Sequence, residues 1–181
     1  MKKYSEMEYH PTSEKLVKVL QTKTQNSNPL FFRVVSAFYF GLVAAQMRAS
    51  IKGWVGKNNI PINVYTMALA PSGTGKGHSA AIIEDEVLCQ FKETIKECTF
   101  PVMAAKHLED LAIKRAIRNN SATEDELAKI TKDFNSLGEY KFSFDSATPA
   151  AIKQMRHKLL MANVGACNLI IDEIAANLTS S

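Results

Sequence analysis

The sequence predicts an α/β fold, a phosphate-loop core built on a parallel sheet and preceded by an α-helical N-terminal segment. Three stretches carry that expectation. The apolar run Ile62–Leu69 feeds a small glycine-rich turn, Ala70–Gly77, and a helical pattern follows from about Ser79. The run Asn168–Ile174 (NLIIDEI) is apolar and ends in two adjacent acids, Asp172 and Glu173. Between them Tyr140–Asp145 (YKFSFD) alternates aromatic and polar residues, the pattern of a strand. Thr148 and Pro149 then form a helix entry, with Thr148 as N-cap and Pro149 at the first helical position. That helix is predicted to run to about Ala162, so the second half reads strand–helix–strand, a unit that needs a right-handed crossover.

The glycine turn is read as a triphosphate site. Glycines let backbone N–H groups crowd around phosphates without Cβ clashes. The following helix would turn its positive end toward them, and Lys76 would add a mobile charge for the outer phosphates. The candidate nucleotide-binding residues are Ala70, Pro71, Ser72, Gly73, Thr74, Gly75, Lys76, Gly77 and His78. Two of them depart from G-x-x-x-x-G-K-[ST]. Ala70 stands where the first glycine belongs. Gly77 stands where a hydroxyl normally holds Mg²⁺, leaving Ser72, Thr74, Ser79 or a water as substitutes. The plainer alternative is a glycine turn with an incidental lysine. Asp172 is placed to take Mg²⁺ and Glu173 to polarise an attacking water, against the alternative that both simply begin a solvated helix. Asp145 ends its strand at the sheet edge expected to carry the loop, which makes Asp145 and Thr148 auxiliary candidates near the nucleotide or a neighbouring subunit.

In chain order, residues 1–29 form a polar segment with one short helix, capped by Thr12 or Ser13, and a linker at Gln21–Pro29. Residues 30–181 form the ATPase domain. Leu30–Ile51 is the most hydrophobic segment and is expected to be a buried helix. Its uninterrupted apolar part is too short to span a bilayer, with Arg33 and Arg48 inside the pattern, so no membrane partner is expected. Trp54, in the loop Gly53–Pro61, is a packed aromatic or a stacking surface for a base. The helix from Ser79 continues to about Glu97. Thr99–Ala104 (TFPVMA) is expected to be a short edge strand because of Pro101. Residues 105–136 read as a helical insertion on the surface of the core, broken at Asn119-Asn120 and restarted by a Ser121/Glu124 capping box.

Of 22 Lys/Arg and 18 Asp/Glu, residues 1–60 carry nine and three, and residues 61–181 carry thirteen and fifteen. The front end is therefore basic by six and the remainder acidic by two. A basic front suits a polyanion such as nucleic acid, or simply a soluble surface. Three cysteines without a C-x-x-C pair point to reduced thiols rather than disulfides or zinc, and no apolar leader follows Met1.

ALAPSGTGKG after INVYTM, then FSFDSATPAAI, then NLIIDEIAANL resembles the phage, prophage and plasmid primase/helicase-like P-loop ATPases, long catalogued as a domain of unknown function. The resemblance covers roughly Phe31 to the end. It implies a RecA-like fold, ATP and Mg²⁺ as cofactors, and Lys76 on the β/γ-phosphates. It also implies Asp172 on Mg²⁺, Glu173 as catalytic base, and a ring, plausibly a hexamer, moving on single-stranded DNA. The place would be a bacterial or phage-infected host cytoplasm. Further strands, a polar sensor and an arginine finger would be needed, so the chain is expected to hold an incomplete core. The readings left open are a replicative DNA helicase or primase-helicase, a nucleotide-binding assembly or regulatory subunit with weak or no hydrolysis, and a DNA-packaging or loader ATPase.

Overall fold

The computed structural model describes residues 7–53, 58–68, 71 and 73–170. Its architecture corrects the expected one. The described residues are mainly helical, and their strands are four two-residue pieces in two separate pairs. There is no RecA-like parallel sheet core among them. β1 (Ser50–Ile51) pairs antiparallel with β2 (Ile60–Pro61), and β3 (Ser143–Phe144) pairs parallel with β4 (Asn168–Leu169). The helices are α1 (Pro11–Thr24), α2 (Pro29–Gln46), α3 (Lys76–Ala81), α4 (Cys89–Thr94), α5 (Phe100–Asn119), α6 (Thr123–Ser136) and α7 (Pro149–Ala162).

The chain divides into two compact units. One comprises residues 1–43 and 63–89, the other 44–62 and 90–181.

In the first unit α1 starts at Pro11, whose missing N–H is no loss in a first turn. Its cap is His10, whose Nδ1 accepts from the Thr12 N–H at 3.2 Å, not Thr12 or Ser13. Val17 and Leu20 are its buried residues. The expected linker begins late, because α1 continues through Thr24 and ends on Gln25 in the left-handed conformation. In α2, Phe32, Ser36, Tyr39 and Leu42 of this unit are buried at helical spacing, as is Gln46 of the second, while Leu30, Val34 and Phe40 are exposed. By length and composition α2 is also apolar enough to cross a membrane, and 39% of it is buried inside the structure. The segment expected to be the central strand, Ile62–Leu69, forms no strand over its described part, and Tyr65 is 95% exposed. An apolar run becomes a strand only when another strand supplies the ladder, and among the described residues none is paired with it.

In the second unit α5, α6 and α7 carry the core. Phe100, Ala104, Leu108 and Ala112 of α5 meet Ile130 and Phe134 of α6 and Met155 and Leu159 of α7. The helices expected to coat a sheet are themselves the hydrophobic centre. Phe100 stacks on Tyr140 with ring centroids 4.4 Å apart. TFPVMA is helix rather than edge strand. The chain widens into a π-helical stretch, Ile95–Thr99, immediately before α5. Widening at that point accommodates Pro101, which has no N–H and would crowd the carbonyl four residues earlier in a regular helix. α5 ends at Asn120 in the left-handed conformation. α6 is capped at Ala122 without a side-chain bond, and Ser121 Oγ donates instead to Glu126 Oε1 at 3.1 Å, so the capping box does not form. The strand–helix–strand order of 140–170 is present in short form. Thr148 caps α7, accepting from the Ala151 N–H at 3.3 Å, and β3 and β4 lie parallel on either side of α7 in sequence.

Candidate phosphate-binding loop

The glycine turn lies on the surface of the first unit. Gly73 and Gly75 have φ of +81° and +80°, values that a side chain would strain. The turn thereby reverses within a few residues and enters α3 at Lys76, whose side chain is exposed. The first N–H groups of a helix have no partner within it, and here they belong to Lys76, Gly77 and His78. Apart from its chain neighbours, no described residue lies within 4 Å of where a Cβ on Gly73 would stand. An exposed lysine beside helix-start N–H groups that lack an intrahelical partner is chemistry suited to a polyphosphate.

The described hydroxyls near the loop, those of Thr74 and Ser79, are already engaged. Thr74 Oγ1 donates to Pro71 O at 2.8 Å. Ser79 is fully buried, and its Oγ donates to Lys76 O at 2.7 Å. Neither is turned outward as a metal ligand, and Gly77 has no hydroxyl to offer. Among the described residues no group of three His, Cys, Asp or Glu is placed to hold a metal.

Of the other candidates, Ala70 and Ser72 of the loop, and Asp172 and Glu173, lie outside the described residues, as does Trp54. Asp145 is exposed just after β3 and accepts from the Ser146 N–H at 2.7 Å, which makes it a turn-forming residue. Thr148 is the α7 cap described above. Both polar side chains thus have local structural roles in the second unit.

The two arginines inside the apolar Leu30–Ile51 pattern are bound to groups of the protein itself. Arg33 donates Nε and Nη2 to the two oxygens of Glu14 at 2.8 Å each, and its guanidinium stands 3.9 Å over the Tyr9 ring. Arg48 donates to Leu159 O at 2.8 Å, Asn163 Oδ1 at 2.6 Å and Gly165 O at 3.3 Å, which closes the C-terminal end of α7. Burial pulls its pKa down. Sequence reasoning passed over Gln46, which fills all four hydrogen-bonding positions of its amide. Its Nε2 donates to Phe142 O and Ala166 O, and its Oε1 accepts from Tyr140 Oη and the Ala166 N–H. A glutamine late in a largely apolar helix was the available signal.

A cleft of ≈ 490 Å³ in the second unit is lined by Phe100, Ala104, Phe134, Tyr140 and Lys158 among others, and contains none of the loop residues. The Lys158 ammonium there donates to Phe134 O and Gly138 O at the end of α6 and lies 4.2 Å from the Phe134 ring centroid. Burial lowers its pKa. The geometry is that of a helix-end clamp.

No protein-family model, curated protein or solved structure matches the chain.

Proposed function

We propose that the chain binds ATP through residues 70–78 and serves a nucleotide-driven DNA motor of the phage primase-helicase kind, hydrolysing the nucleotide. One observation supports this above the rest. Two left-handed glycines, Gly73 and Gly75, lead directly into a helix that begins with an exposed lysine, Lys76. In this reading the Lys76 ammonium neutralises the outer phosphates, while the N–H groups at the start of α3 bind their oxygens. Such contacts hold the γ-phosphoryl group and offset the charge it gains during transfer, so they act by position and electrostatics. Glu173 is the proposed base for the attacking water and Asp172 the proposed carboxylate for Mg²⁺. The described hydroxyls, those of Thr74 and Ser79, do not fit a magnesium ligand, so among the described residues phosphate binding rests on Lys76 and the backbone.

Gly77 and the engaged hydroxyls of Thr74 and Ser79 favour a second reading, a nucleotide-binding subunit with little turnover. Steady-state ATP hydrolysis separates the two. The chain and Lys76→Ala are assayed with and without single-stranded DNA at two protein concentrations. DNA-stimulated turnover that Lys76→Ala abolishes, and that rises more than linearly with protein, supports the oligomeric motor. Lys76-dependent ATP binding without turnover supports the second reading. Absence of ATP binding sinks both.

A further inference from the structure

We infer that Asn26, in the turn between α1 and α2, is a positioning residue of the phosphate loop. The inference rests on the reading of residues 70–78 as an ATP site. Asn26 is 48 residues from Thr74 in sequence, yet its Nδ2 donates to Thr74 O at 3.0 Å. A trans peptide is a rigid plane whose C=O and N–H point in opposite directions. Holding the Thr74 carbonyl toward Asn26 therefore aims the Gly75 N–H away from the α1–α2 turn. A carbonyl turned the other way would present a negative end where phosphate oxygens are to bind. The same turn also backs the next residue, since a Cβ on Gly75 would stand 3.0 Å from Thr24 Cβ. Thr24 is fixed in turn, its Oγ1 donating to Leu20 O at 2.7 Å. Asn26 Oδ1 accepts from the Asn28 N–H at 2.9 Å, which sets the amide so that its NH₂ faces the loop. Lys23, in the last turn of α1, pairs with Glu86, beyond α3. The end of α1 thus grips the chain on both sides of Lys76, with Asn26 supplying the contact that orients a peptide of the cradle.

The test is calorimetric titration of the full chain with ATP and, separately, with inorganic tripolyphosphate, which lacks base and sugar. Wild type, Asn26→Ala, Asn26→Gln and Lys76→Ala are compared, each with its ligand-free melting midpoint. Asn26→Ala should weaken both ligands about tenfold, as loss of one hydrogen bond that orients the cradle predicts. Asn26→Gln, which keeps the donor, should return to within about threefold of wild type, while the melting midpoints stay together. In wild type, ATP should slow amide exchange at residues 25–28 together with residues 73–78, a measurement that stands even where a variant folds poorly. Equal ATP binding by Asn26→Ala and wild type, with Lys76→Ala defective, overturns this inference and leaves the ATP site intact. Equal weakening by Ala and Gln with a lowered melting midpoint assigns Asn26 a merely structural role and overturns it too. Exchange that ATP leaves unchanged at residues 25–28 does the same. Failure of wild type to bind either ligand overturns the inference together with the reading beneath it.

Discussion

Arg48 shows how a residue that looks like a surface charge becomes a structural part. It sits at φ +50°, a conformation a non-glycine residue enters at a cost of roughly 1 kcal/mol. Its guanidinium offsets that cost by holding the open carbonyl end of α7, where a positive charge also meets the negative end of the helix. Arg48→Ala keeps the strain and loses the clamp, so it should destabilise the second unit by about 2–3 kcal/mol in denaturant melts. Arg48→Gly loses the same clamp but removes the strain. It should therefore be about 0.5–1 kcal/mol more stable than the alanine variant. Equal stability of the two would show that the left-handed backbone at position 48 carries no cost. Neither the αL backbone nor the α7 contacts of Arg48 were legible in the sequence, because its partners lie more than a hundred residues away.

At the scale of elements, α1 and α2 are joined by the Glu14–Arg33 pair, and this joint has a pH signature. The hydrogen bonds from Arg33 hold the Glu14 carboxyl below its ordinary value of 4.5. A carboxylate with a depressed folded pKa contributes stability that is fully present above the unfolded value and is lost as pH falls through the folded one. The first unit should therefore lose stability as pH drops below about 4.5, and Glu14→Gln should flatten that part of the curve. Circular dichroism melts at half-unit steps from pH 6 to pH 3 read the slope. An unchanged slope in Glu14→Gln would show that the pair adds nothing, as holds for many exposed pairs. The elements whose signals are local were readable in advance. Pro149 after Thr148 announced α7, and the Asn119-Asn120 break announced the α5–α6 turn. The strands were readable in part: YKFSFD and NLIIDEI contain β3 and β4, two residues each, whereas Ile62–Leu69 forms none over its described part. An apolar run such as Ile62–Leu69 states that a segment prefers a pleated, half-buried surface, but pairing is supplied by other segments. TFPVMA failed for the complementary reason, since the wide turn that accommodates Pro101 belongs to the preceding Ile95–Thr99 and not to the proline itself.

For the molecule as a whole, the glycine turn was legible because its backbone geometry follows from five consecutive residues, Gly73 to Gly77. The sheet expected beneath it is not found among the described residues; that expectation came from resemblance and from short apolar runs. The loop can therefore be tested as a binding device without assuming the fold it was expected to ride on. A ligand that binds only the folded chain at a hundred times its Kd adds about 2.7 kcal/mol of stability. For a chain of this size that corresponds to a rise in Tm of about 5–10 °C. ATP should produce such a rise in the wild type and none in Lys76→Ala. The metal dependence follows from Gly77. With no hydroxyl at that position, and with Thr74 and Ser79 turned to backbone carbonyls, none of these three positions offers magnesium a side-chain ligand. Chelating divalent ions with EDTA should then leave most of the ATP-induced rise in place, while any turnover that depends on Asp172 is lost. A rise that vanishes with the metal would mean that magnesium is held tightly from elsewhere, with Asp172 the first carboxylate to substitute. In that case Asp172→Asn should reproduce the effect of EDTA on the wild type, and the loop could not be treated as a metal-independent anion cradle.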